Sequence, residues 1–168
     1  MKTPLSKTGL EYALHRVHQG ESDMVEHLLR LSEKHSAEHE VHHVASELAG
    51  WSRLNLAALA EAARQYDVDL DREPDQPGFV RRLVDSGAAH MPGKVAGLAL
   101  LEDLRDVYLV GSETSLAWEM LAQHAQARRE RDLLSLTARC HPQTLRQIRW
   151  ANTMIKTLSP QVLSSLDA

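Results

Sequence analysis

The chain has 168 residues, with 19 Lys and Arg against 23 Asp and Glu, and a net charge of −4 at neutral pH. Apolar residues make up 43% and charged residues 25%, the balance of a soluble domain long enough to bury its own core. This balance gives no basic field for nucleic acid, no stretch approaches the ~20 apolar residues of a membrane span, and the single cysteine, Cys140, excludes an intramolecular disulfide or a cysteine-based zinc site. The N-terminal residues lack the apolar run of a signal peptide, so a cytoplasmic location is expected. Residues 1–168 are expected to form a single helical-bundle domain.

The first predicted helix runs from about Ser6 to Lys34, with a seam at Leu10, Leu14, Val17, Met24, Leu28 and Leu31. Its alternating steps of three and four are those of a bundle helix. The second is predicted from a cap near Ser36 to Tyr66, with Val41, Val44/Ala45, Leu48, Leu59, Ala62 and Tyr66 inward. Between Asp67 and Pro92 lies a 26-residue acidic connector carrying Pro74, Pro77 and Gly78. A short helix is predicted at Phe79–Ser86, broken again over Gly87–Gly93. Asp67, Asp69 and Asp71 have calcium-loop spacing, but Arg72 replaces the required Gly and Gly78 the final Glu, so a solvated linker is expected.

A third helix is predicted from about Lys94 to Arg129, with Leu101, Leu104, Tyr108, Trp118, Ala122 and Ala125 inward. The fourth spans about Arg131 to Leu158, with Leu134, Leu145, Ile148 and Ile155 inward and a kink at Pro142. The fold class is therefore all-α, a four-helix bundle with a long connector between helices two and three. That connector allows either a crossover or an up-down-up-down path.

Seven of the ten histidines fall between His15 and His43, and imidazole is the commonest metal ligand. Helical phase turns His39 and His43 roughly 160° from the seam of helix two, toward water. The seam itself contains an acid, Glu21, between Val17 and Met24. A carboxylate there is costly unless a cation, a metal or several donors meet it. His18 lies one turn earlier, His141 about 20° from the seam of helix four, and Glu119 about 60° from that of helix three. Ser52 and Asn55 replace apolar residues on helix two. All are expected near mid-bundle, as one polar layer.

Three readings of this layer stand open. It forms a hydrogen-bond network that fixes register, with Glu21 paired to His141. It holds a metal, because carboxylate with imidazole suits iron, manganese or zinc. Or it lines a metal-free pocket beside the small residues Gly111, Ser112 and Ser115, which equally permit close helix contact. Cys140 beside His141 is expected to be a buried structural thiol.

Four long helices, the long connector after the second and the inward carboxylates resemble the ferritin-like superfamily. Leu-Leu-Glu-Asp-Leu-Arg-Asp-Val-Tyr-Leu (100–109) followed by Thr-Leu-Arg-Gln-Ile-Arg-Trp (144–150) is similar to bacterial members of such helical families. The resemblance implies a non-haem iron or other divalent metal site with a redox role. Its metal ligands would be Glu21, Glu119, His141 and His18, oriented by Ser52 and Asn55. The family's paired Glu-x-x-His motifs are incomplete here. Glu40-Val-His-His43 falls near the start of helix two on the outer face, and Ala138 stands where a Glu should precede His141. The alternative class is a non-catalytic interaction or structural bundle without a cofactor, with Trp51 or Trp150 in an exposed apolar patch. In either case a homodimer is expected.

Overall fold

The structure is a computed structural model that describes residues 4–74 and 93–167. The helix expected at Phe79–Ser86 lies outside the described residues. Four helices make up the bundle: α1 (Pro4–Lys34), α2 (His39–Ala63), α3 (Gly93–Arg128) and α4 (Arg131–Leu166). A 3-10 turn at Arg64–Tyr66 extends α2. Among the described residues there is no strand, and no helix is long and apolar enough to cross a membrane. α2 starts three residues after the expected cap at Ser36, because 35–38 turn by backbone bonds from Glu38 N–H to His35 O (2.9 Å) and His35 N–H to Leu31 O (3.1 Å). α4 continues through both Pro142 and Pro160, eight residues past its expected end.

Two sharp turns are made by residues in the left-handed conformation, Asp67 (φ 57°) and Arg129 (φ 58°). At each, the following N–H reaches back to a helix carbonyl: Val68 to Ala63 (3.1 Å) and Glu130 to Ala125 (2.9 Å). This closure satisfies carbonyls that a helix end otherwise leaves open.

Contacts between elements fix the path. α1 packs against α2 and α3, while α4 packs against α3 and α2. α1 and α2 run antiparallel, since Ser32 meets His42 and Glu21 meets Asn55. α1 and α3 are also antiparallel, since Lys34 meets Asp103 and Glu21 meets Trp118. Ser115 to His141 and Gly97 to Val162 set α4 antiparallel to α3. The order is therefore up, down, down, up, so the connector leaves α2 at one end of the bundle and α3 begins at the other. The connector's first leg is visible: Val68 and Leu70 are buried in the core, and Asp71 offers its carbonyl to His18 Nε2 at 2.8 Å, halfway along α1.

The core is divided in two. One apolar cluster gathers Leu14, Val17, Leu59, Trp118, Leu121 and Leu133, and the other Met24, Leu28, Leu31, Val41, Leu104 and Met154. Between them lies a belt of fully or nearly fully buried polar side chains: Glu21, Ser52, Asn55, Thr114, Thr144 and Gln147. Helices approach closely at this level. A Cβ on Gly20 would stand 2.6 Å from Thr114 Oγ1, and one on Gly111 would stand 2.8 Å from Ile148 Cγ1. Gly111 thus serves contact between α3 and α4 rather than a cavity.

Candidate functional site

Glu21 is the centre of the polar belt and is 0% exposed. The three-four step of α1 requires an inward residue between Val17 and Met24, so the acid has no route to water. Three donors from three other helices converge on its Oε1: Asn55 Nδ2 of α2 at 3.0 Å, Trp118 Nε1 of α3 at 2.6 Å and Thr144 Oγ1 of α4 at 3.1 Å. Gln147 Nε2 extends the belt, donating to Leu48 O and to Ser52 Oγ, each at 2.9 Å. No donor among the described residues meets Glu21 Oε2, and Gln147 Oε1 is likewise without one.

Burial raises the Glu21 carboxyl above its ordinary 4.5, outweighing the opposing pull of Ser52, Trp118, Asn55 and Thr144. The asymmetry of the contacts fits a neutral acid, with Oε1 as the accepting carbonyl and Oε2 as the hydroxyl. In this form the layer carries no buried charge, and it links all four helices at one level. A buried network that joins four helices at one level penalises any slip of one helix past another.

The other expected ligands lie elsewhere. His18 is 5% exposed and donates from Nε2 to the Asp71 carbonyl, which ties the connector to α1. His141 is on the flank between α3 and α4, with Nε2 2.8 Å from Ser115 Oγ and Nδ1 4.0 Å from Glu119 Oε2. The Glu119 side chain is 54% exposed and also accepts from Gln123 Nε2 at 3.0 Å. Of the expected layer, then, Glu21, Ser52 and Asn55 are placed together, and Glu119 pairs with His141 apart from them. The pairing of Glu21 with His141 is replaced by the three donors at Oε1. Among the described residues no three His, Cys, Asp or Glu side chains group as metal ligands.

The reason lies in the rotation of α4. Its buried face is Leu133, Leu136, Thr137, Cys140, Thr144, Gln147, Ala151 and Met154, whereas Leu145 is 45% exposed. A seam drawn through Leu134, Leu145 and Ile148 is turned away from this face and brings His141 falsely inward. The row Cys140, Thr144, Gln147, Ala151 follows the same three-four step and was the signal for the true face. Burial pushes the Cys140 thiol up to about 11, with Glu21 adding to the rise, so it remains an unreactive thiol at neutral pH. Burial lowers His141 below 6.5 against the opposing pull of Glu119.

His35, which falls between the first predicted helix and the cap expected at Ser36, is 8% exposed. It donates from Nε2 to Asp103 Oδ2 at 2.7 Å, and Lys34 Nζ reaches the same oxygen at 2.7 Å. Burial pushes the Asp103 carboxyl up, but the His35 and Lys34 hydrogen bonds and charges outweigh it and hold it below 3.8. Trp51 and Trp150 pack partly buried against the second cluster. No family model, curated protein or solved structure matches this chain.

Proposed function

We propose that the protein is a non-catalytic helical-bundle interaction protein, in which the Glu21 layer fixes the packing and the outer face of α3 pairs with a second copy of the chain. The observation that carries this reading is the complete burial of Glu21 beneath donors from α2, α3 and α4. A carboxyl closed in this way positions helices and meets no substrate. The surface offers the complementary feature. Leu109, Leu116 and Met120 are 47%, 66% and 49% exposed and recur at steps of seven and four along α3, as a pairing helix presents them. Two copies related by a twofold axis would set this row against itself. Sedimentation of the wild type at micromolar concentration should give a dimer, and Leu116→Glu a monomer of unchanged helicity. A monomeric wild type, or a dimer indifferent to the substitution, refutes the pairing.

A second reading is a ferritin-like protein binding iron or another divalent metal with a redox role. Two observations favour it: the up-down-down-up order with one crossover is that of ferritin-like folds, and Glu21 Oε2 and Gln147 Oε1 lack donors in the same layer. The donors present do not make up a di-metal centre, because Glu119 and His141 stand apart from Glu21 and His18 is committed to Asp71. Elemental analysis of untagged protein and of Glu21→Ala/His141→Ala decides this reading. Metal present in the first and lost from the second supports it, and no metal, or metal retained by the variant, refutes it.

A further inference from the structure

The geometry points to a divalent transition-metal site on the exposed start of α2, formed by the imidazoles of His39 and His43 and independent of the Glu21 layer. These two residues are one helical turn apart, both exposed, with ring centroids at 6.4 Å and planes within 14° of parallel. Side chains four apart project from the same helix face toward its N-terminus, which sets both rings on one side. Two imidazoles sharing one metal at about 2.0–2.1 Å bring their centroids to roughly 5 Å, within reach of small side-chain rotations from the observed pair.

A third ring stiffens the arrangement. His42 packs edge-on against His43, with centroids 5.0 Å apart. Its own position is held by α1. Ser32 Oγ donates to the His42 carbonyl at 2.8 Å, and His42 Nδ1 lies 2.9 Å from the Ser32 carbonyl, which accepts only. His42 Nδ1 therefore carries the proton and donates. Ser32 is 1% exposed, so this clasp is fixed where α1 turns into α2. His43 thus leans on an anchored ring, and less freedom is lost when it takes a ligand.

Two neutral imidazoles without thiolate or carboxylate select the borderline ions, with Cu²⁺ bound more tightly than Ni²⁺ or Zn²⁺. Water completes the coordination in this assignment, since among the described residues no third protein ligand is grouped there.

The test is titration of the full-length untagged chain with Cu²⁺ by calorimetry, together with the electron paramagnetic resonance spectrum of the bound ion. The expected result is one Cu²⁺ per chain with a nitrogen-ligand signature. His39→Ala and His43→Ala should each weaken binding on the order of tenfold to a hundredfold, because a chelate becomes a single ligand. The exposed His15 lies outside this cluster, and His15→Ala should bind as the wild type does. All three positions are on the surface, so folding is not at issue. No Cu²⁺ bound, or affinity unchanged in both His39→Ala and His43→Ala, overturns the assignment.

Discussion

Replacing Glu21 with Ala removes the single acceptor on which Asn55, Trp118 and Thr144 converge. Thr144 can redirect its hydroxyl to a carbonyl one turn back in its own helix, as Thr114 does to Val110 at 2.8 Å. The Trp118 indole, 0% exposed, has no such freedom, and Asn55 at 2% has little. Each buried donor left without a partner costs about 1–3 kcal/mol. The space left by the carboxyl and its methylenes adds about 1–2 kcal/mol. The sum is a loss of about 3–8 kcal/mol, a large part of the ~5–15 kcal/mol by which domains are usually stable. Glu21→Gln differs sharply. Its amide oxygen keeps all three donors, and its nitrogen supplies a proton where the neutral acid holds one, so at about pH 4.5 or below, where the unfolded chain also keeps its proton, stability should stay within about 1 kcal/mol of the wild type. Urea unfolding followed by circular dichroism measures both. An Ala variant within ~0.5 kcal/mol of the wild type would refute the reasoning.

Three further outcomes follow from the same contacts. Asp103→Asn weakens the clasp on His35 and Lys34 and should cost about 1–3 kcal/mol by urea unfolding. Because Asp103 is held below 3.8, its contribution is present above that pH and disappears as pH falls through its folded-state value. Arg129→Gly relieves a left-handed residue at φ 58° and should raise stability by up to about 1 kcal/mol, read as a higher midpoint of thermal unfolding. The pH profile of stability should fall on both sides. Glu21 keeps its proton in the fold, so the unfolded chain gains from ionisation as pH rises above 4.5, with a slope of up to about 1.4 kcal/mol per unit until the folded group also ionises. His27 and His141 are lowered chiefly by burial, so stability also falls as pH drops below 6.5 toward their folded values. Urea midpoints of the wild type and Glu21→Gln across pH 4–9 check this, the two curves diverging on the alkaline side.

The architecture was legible where apolar residues alone mark the buried face. The seam of α1 and most of that of α2 read directly, and the acid at Glu21 stood out because it broke an otherwise apolar row. α4 misled because its buried face is polar at mid-height, with Thr144 and Gln147 inward while Leu145 is exposed. Rotating that helix to bury its leucine carried His141 inward and paired it with Glu21. Trp118 was recognised as inward, but nothing in its spacing announced that its indole N–H would seek the acid. His35 hid its role because its partner, Asp103, is 68 positions away. The crossover was undecided by connector length and is decided by side-chain pairs, Lys34 with Asp103 and Glu21 with Trp118, that run opposite ways along α1 and α3.

The account rests on Glu21 as a neutral acid that ties the four helices together. The direct measurement is the pH titration of the Glu21 side-chain carboxyl carbon by nuclear magnetic resonance in selectively labelled, folded protein. The expected result is the resonance of the protonated acid persisting above pH 4.5, with ionisation at a higher pH than that of an ordinary carboxylate. Ionisation at or below 4.5, in protein that stays folded, would contradict it.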